Sequence, residues 1–78
     1  MDVTCLIQKL DEMGVPKRFY TINGDLSSDT CVLNHVYGKW EYFYYDEKGN
    51  QNDYKIFENE NDACMYLLGI LENEMKFW

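Results

Sequence analysis

The sequence predicts a single α+β domain over residues 1–78, with a helix at each end and a three- to four-stranded antiparallel meander between them. Two observations predict this class. Apolar residues recur at helical spacing near both ends, whereas the middle of the chain holds short aromatic and β-branched runs separated by turn residues. A chain of this size buries only roughly 60–65% of its unfolded surface. We therefore expect a thin core, with both helices packed on one face of the sheet.

The first helix is predicted over residues 2–13. Asp2 suits the N-cap position, and Gly14 followed by Pro16 is a helix stop signal. The apolar stripe of this helix consists of Val3, Leu6, Ile7, Leu10 and Met13.

Four β-rich runs follow, and turn residues separate them. Asn23-Gly24 ends the first run, and a Ser-rich polar loop follows it. Gly38-Lys39 fits a two-residue hairpin turn with Gly at its first position. The polar segment 46–52 is the second turn, and such short connections make neighbouring strands antiparallel. The predicted strands are 19–22, 30–37, 40–45 and 53–57.

A second helix closes the domain. Asn59 or Asn61 can cap it, and Glu60 and Asp62 suit its positive N-terminal end. Gly69 inside this helix costs about 1 kcal/mol relative to Ala, and close contact with the sheet or the other helix would explain it. The predicted buried stripe is Ala63, Leu67, Ile70 and Leu71, flanked by Cys64 and Met75.

No known catalytic or metal-binding pattern is visible. His35 is the only histidine and lies in the middle of a predicted strand. The serines do not form a nucleophile elbow, and the glycine spacing matches no phosphate-binding or dinucleotide motif. Asp46, Glu47 and Asp53 flank one turn but miss the calcium-loop pattern. We therefore predict a protein that is not an enzyme and that has no cofactor and no metal site.

Charge and cysteine usage limit the partner and the compartment. The net charge of −7 argues against binding to nucleic acid or to anionic membranes, and it favours either simple solubility or a basic protein partner. Cys5, Cys31 and Cys64 are odd in number and far apart, without a C-x-x-C pair. We expect no signal peptide, and no stretch approaches 18 consecutive apolar residues. A cytoplasmic location is predicted.

The strand 40–45 is rich in aromatic residues and is followed by acidic ones. Alternation places Trp40, Tyr42 and Tyr44 on one face and Glu41, Phe43 and Tyr45 on the other. We expect the Trp40 face to meet the helices. The other face would then expose rings beside carboxylates, which is typical of binding hot spots, unless residues 19–22 or a homodimer partner shelter it.

Two stretches resemble the small immunity proteins of bacterial polymorphic-toxin and contact-dependent growth inhibition systems. They are W-E-Y-F-Y-Y-D-E-K-G at 40–49 and F-E-N-E-N-D-A-C-M-Y-L-L at 57–68. The residues that match the family patterns are Trp40, Tyr44, Glu47 and Gly49 in the first, and Phe57, Glu60, Ala63, Tyr66, Leu67 and Leu68 in the second. The resemblance covers the C-terminal half, together with the first helix and its Gly14-x-Pro16 stop. It implies a cytosolic, non-enzymatic inhibitor that blocks the active site of a cognate toxin domain, and it transfers no catalytic residue.

The first hypothesis is therefore an immunity-type inhibitor whose acidic surface enters the basic cleft of a toxin such as a nuclease. The alternative is a small adaptor or a structural homodimer, and a third hypothesis is a small hydrolase that uses carboxylates. The residues predicted to contact the partner are Glu41, Tyr45, Asp46, Glu47 and Asp53.

Overall fold

Helices begin and end the chain and four strands lie between them in the computed structural model, which describes residues 1–76. This confirms the predicted α+β class and the order of the elements. The elements are α1 (Val3–Glu12), a short 3₁₀ helix (Lys17–Phe19), β1 (Tyr20–Ile22), β2 (Thr30–Val36), β3 (Lys39–Tyr45), β4 (Gln51–Phe57) and α2 (Glu60–Met75).

The sheet has the strand order β1-β2-β3-β4 and is mixed. Strands β2, β3 and β4 form the expected antiparallel meander, but β1 runs parallel to β2. The prediction of a purely antiparallel sheet is therefore wrong at β1. Asn23 extends the pairing instead of reversing the chain: its N–H donates to the Leu33 carbonyl at 2.9 Å, and its side-chain oxygen accepts from the His35 N–H at 2.7 Å. The loop 23–29 is long enough to return along the three residues of β1 before β2 begins.

The β2–β3 hairpin turns one residue earlier than predicted. Val36 pairs with Lys39, so Tyr37 and Gly38 are the two turn residues, with φ of 51° and 77°. Two positive φ values define a type I′ turn, whose twist matches that of the flanking strands. The turn thus places Gly at its second position, and Tyr37 takes the strained first one.

The second turn is shorter than predicted, because β4 begins at Gln51 instead of residue 53. The pairing of β3 with β4 shifts by one residue opposite Phe43. A β-bulge absorbs this shift at Asp53, whose φ is 57°. Tyr54 and Ile56 keep the predicted alternation beyond the bulge.

The core lies between the helices and one face of the sheet. Helix α2 packs across β2, β3 and β4, and α1 packs against α2. In the register of the sheet Leu33 lies opposite Tyr42, and His35 lies opposite Trp40. Trp40 and Tyr42 are 7% and 3% exposed and belong to the core cluster, which confirms that the Trp40 face meets the helices. The cluster also includes Leu6, Leu10, Val15, Tyr20, Cys31, Ala63, Cys64, Leu67, Leu68 and Leu71.

Side chains cap both helices at their N-termini. The Cys5 N–H donates to Asp2 Oδ1 at 2.8 Å, and the Asp62 N–H donates to Asn59 Oδ1 at 2.8 Å. The predicted cap of α1 is confirmed, and of the two candidates for α2 it is Asn59 that caps. Gly14 ends α1 with φ of 76°, as the stop signal predicted.

Gly69 does not make the close contact that the sequence suggested. It is exposed in the middle of α2, and a Cβ placed there would have no atom within 4 Å. We therefore expect Gly69→Ala to raise the free energy of unfolding by about 0.5–1 kcal/mol, because Ala restricts the unfolded chain and favours the helix. Urea unfolding followed by circular dichroism measures this. Gly49→Ala is the control and should destabilise, since Gly49 has φ of 82° and its Cβ would lie 3.4 Å from the Tyr45 hydroxyl. A loss of stability in Gly69→Ala would contradict the open surroundings of Gly69.

Candidate functional site

Exposed apolar side chains gather on the sheet face that points away from the helices. We call Val36, Tyr37, Tyr54 and Ile56 the open-face patch. They account for four of the six large hydrophobic side chains that are exposed within residues 1–76. Tyr37 is fully exposed at the hairpin tip, and Ile56 and Tyr54 are about half exposed. These four residues line a shallow cavity of about 330 Å³. Contiguous exposed apolar patches are typical of interaction sites, and the open-face patch is therefore the candidate site.

A polar contact fixes the position of Tyr54 within the patch. The Tyr54 hydroxyl donates to Glu41 Oε2 at 2.6 Å across the β3–β4 pair. This hydrogen bond to a carboxylate raises the pKa of Tyr54. Both groups are thereby held at the surface, so that a ring and a negative charge are presented together.

On the open face of β3, the rings of Phe43 and Tyr45 are partly covered by neighbouring side chains. The Phe43 ring is 2% exposed although it lies away from the helices. It stacks on Tyr54 with ring centroids 6.2 Å apart, and it meets Tyr45 edge-on at 6.5 Å. Side chains of β3 and β4 therefore cover the Phe43 ring. From the sequence, only residues 19–22 or a homodimer partner had been considered for this role. Tyr45 is half-buried in this ring layer and offers less contact area than Tyr54 or Tyr37.

The five predicted contact residues do not form one surface. Glu41 and Tyr45 lie on the open face, and Asp46 and Glu47 lie at or in the turn between β3 and β4. Asp53 lies on the helix face, where it lines a groove between the sheet and α2.

Asp46 organises its turn. Its carboxylate accepts hydrogen bonds from the N–H groups of Asn50 at 2.8 Å and Lys48 at 2.9 Å, and from the Asn52 side-chain amide at 3.1 Å. These bonds hold the pKa of Asp46 below its ordinary value, and the N–H of Asn50 is the largest cause. Glu47 is exposed, so of these two carboxylates it is the one more available to a partner.

None of the four members of the open-face patch was among the predicted contact residues. For Tyr37 the cause is the hairpin turn, which was predicted one residue too late. The alternation along β4 had already put Tyr54 and Ile56 on one face. The available signal was the Tyr37-Gly38 dipeptide, in which a large aromatic stands where a type I′ turn favours Asn, Asp or Gly.

We expect Tyr37→Asn to raise the free energy of unfolding by about 1 kcal/mol, since Asn tolerates positive φ better than Tyr. Thermal and urea unfolding measure the change. A fall in the free energy of unfolding would mean that the Tyr37 ring stabilises the fold, which would count against a role in binding a partner. The matched control is Tyr54→Asn, which should destabilise because it removes the ring stacked on Phe43 and the bond to Glu41.

His35 is exposed and stacks on the Trp40 ring with centroids 4.8 Å apart and planes 11° from parallel. In the described part of the chain, no three side chains of His, Cys, Asp or Glu lie close enough together to hold a metal ion. Neither α1 nor α2, as far as the structure describes them, is long and apolar enough to cross a membrane. Comparisons with protein-family models, curated proteins and solved structures gave no match.

Proposed function

We propose that this protein is a non-catalytic, immunity-type inhibitor that binds and neutralises a cognate bacterial toxin domain. The observation that carries the proposal is the open-face patch. Its two tyrosines and two aliphatic side chains are exposed together on β2, β4 and the tip of the β2–β3 hairpin. Interface centres are rich in Tyr, and a sheet-borne patch loses little conformational entropy on binding.

Charge supports a basic partner. The chain carries a net charge of −7. Glu41 lines the cavity of the patch, and Glu47 is exposed in the turn at the other end of β3. A basic cleft, such as that of a nuclease, would be attracted over long range and then covered by the apolar side chains. The three cysteines are free, with Cys31 and Cys64 buried, and a reducing cytoplasm is the compartment we propose for such an inhibitor.

A homodimer joined through the same patch is the competing proposal, and salt separates the two. Two copies of this chain would each bring a charge of −7, so their repulsion would be screened, and their association strengthened, as salt rises. A complex with a basic toxin would instead weaken with salt. Sedimentation velocity of the chain alone, at low and high salt, measures the first effect.

Co-expression tests the proposed inhibitor directly. The protein encoded beside this gene is expressed in a bacterial host, with and without this chain. We expect growth inhibition that this chain relieves, and a complex of the two purified proteins. Ile56→Thr should weaken relief, because it keeps a β-branched residue in the strand but removes apolar contact area. Met65→Gln is the matched control, since Met65 is equally exposed but lies on α2. A neighbour that neither inhibits growth nor binds this chain would contradict the proposal.

A further inference from the structure

A groove runs between α2 and the sheet on the face opposite the open-face patch. Its volume is about 770 Å³, which lies within the range of roughly 300–1,000 Å³ found for ligand pockets. We call it the α2 groove and define it by its aromatic and charged lining. This lining comprises the rings of Phe19, Tyr42, Tyr44 and Tyr66, the carboxylates of Asp29, Asp53 and Glu74, and Lys55.

The rings of the groove already attract cations of the chain itself. The Lys55 ammonium lies 5.7 Å from the centre of the Tyr66 ring, and the Arg18 guanidinium carbon lies 5.3 Å from the centre of the Phe19 ring. Tyr66 is half-buried and is held edge-on against Tyr42, with centroids 5.1 Å apart. The negative face of an aromatic ring attracts a cation within about 6 Å of its centre. The groove is therefore built from surfaces that favour positive charge.

The charged side chains of the groove leave it negative. The carboxylates of Asp29, Asp53 and Glu74 and the ammonium of Lys55 line it, and the Arg18 guanidinium lies against the Phe19 ring, so acidic groups still outnumber basic ones. Two of these carboxylates affect buried groups nearby. Burial raises the pKa of Cys31, and the negative charge of Glu74 raises it further. Burial also raises the pKa of Tyr42, and the negative charge of Asp53 adds to that rise. A cation in the groove would relieve this excess of negative charge.

A buried hydroxyl offers a polar contact at the base of the groove. Tyr42 is 3% exposed, and its hydroxyl donates to Cys31 Sγ at 3.7 Å. This bond uses the hydroxyl proton and leaves the lone pairs of the phenol oxygen, which can accept from a ligand N–H. The base of the groove therefore suits a ligand that donates hydrogen bonds.

We propose that the α2 groove binds an arginine side chain of a partner protein, with the guanidinium against Tyr44 and Tyr66 and between the carboxylates of Asp53 and Glu74. A guanidinium is planar, stacks on rings, carries five N–H donors and is less strongly hydrated than an ammonium. It can therefore satisfy rings, carboxylates and the Tyr42 oxygen at once, which a lysine ammonium cannot. The inference goes beyond the proposed inhibitor function, because the groove and the open-face patch lie on opposite faces of the sheet.

The test is a nuclear magnetic resonance titration of the full chain with N-acetyl-arginine-N-methylamide. We expect saturable shifts centred on Tyr44 and Tyr66. The citrulline analogue, which is nearly isosteric but neutral, should give none, and the lysine analogue should bind more weakly. Equal shifts from the citrulline analogue, tighter binding of the lysine analogue, or shifts centred on another surface would each overturn the proposal.

Variants test the charges of the groove. Asp53→Asn with Glu74→Gln should weaken binding of the arginine probe about tenfold or more, which corresponds to about 1.4 kcal/mol or more. Asn at position 53 tolerates the positive φ of the bulge, so folding should be kept. Glu12→Gln with Glu72→Gln makes the same change in net charge at exposed positions outside the groove, and it should change affinity less than twofold. Equal losses in the two double variants would overturn the assignment of the site.

Lys55 provides an opposite test. Its ammonium competes for the Tyr66 ring, so Lys55→Gln should strengthen binding of the arginine probe several-fold. Lys48→Gln is the matched control, because Lys48 is exposed in the β3–β4 turn outside the groove. Weaker binding in Lys55→Gln would overturn the placement of the guanidinium against Tyr66.

Discussion

Replacing Trp40 with alanine is expected to lower the free energy of unfolding by about 3–5 kcal/mol, as large-to-small changes in a core do. Trp40 is 7% exposed and belongs to the cluster that both helices cover. The cavity left behind would border the sheet and could not collapse without moving α2. Native domains are stable by only about 5–15 kcal/mol, so a domain at the low end of that range would be largely unfolded at 37 °C after this loss.

Urea unfolding with circular dichroism measures this loss. Trp40→Phe is the conservative control and should cost much less, since it keeps an aromatic ring in the cluster. His35→Ala is the second control: it removes the exposed ring stacked on Trp40 and should cost no more than about 1.5 kcal/mol. A Trp40→Ala protein that stays well folded but loses its partner would place Trp40 in the interface, since Trp40 also lines the shallow cavity of the open-face patch.

Local signals predicted the helices well because each one acts within a few residues. Asp2 caps α1 and Gly14 ends it, and the predicted stripe of α2 is buried at Ala63 and Leu67. The predicted stripe included Ile70, which is only half-buried, and omitted Leu68, which is buried. Gly69 was also misjudged, because a packing reason was expected for it. Sequence alone could not tell an exposed glycine from a close contact, because that depends on what lies across the helix in space.

The sheet was predicted less completely, because strand direction and register depend on pairing between residues that are far apart in the sequence. A loop such as 23–29 can make either a hairpin or a parallel return, and the backbone pairing of Asn23 with β2 decides between them. The register of the β2–β3 hairpin was missed by one residue, since Gly38 can occupy either position of a two-residue turn. That single step hid Tyr37. The bulge at Asp53 likewise follows from the pairing of β3 with β4 and has no clear local signal.

The sequence predicted on which face of the sheet the candidate site lies, but not which residues form it. Alternation along β3 correctly placed Glu41 on the face away from the helices, so the open face was expected. Its exposed members could not be selected from sequence, since Phe43 is buried by Tyr54 from the next strand. Asp46 looked like a surface charge, but its carboxylate is committed to the turn through three hydrogen bonds.

Steering by Glu41, beside the open-face patch, and by Glu47, in the turn at the other end of β3, should make association with a basic toxin strongly dependent on salt. The Debye length falls from about 10 Å at 0.1 M salt to about 3 Å at 1 M. We expect the association rate to fall by about tenfold or more over that range, because steering raises such rates by 10–10³. The dissociation rate should change less. Stopped-flow or surface-plasmon kinetics against the protein encoded beside this gene measure both rates.

Glu41→Gln with Glu47→Gln should lower the association rate and flatten its salt dependence with little change in folding. Gln at position 41 can still accept the hydrogen bond from the Tyr54 hydroxyl, and Asp46 is left in place because it holds the turn. The matched control is Glu12→Gln with Glu72→Gln, which removes the same charge from the helices. If the two double variants behave alike, the net charge of the chain and not the position of its carboxylates on the sheet sets the association rate. If the association rate of the unaltered chain does not change with salt, the acidic steering mechanism is wrong. The open-face patch would still be tested by Ile56→Thr, which should raise the dissociation rate because apolar contact is lost.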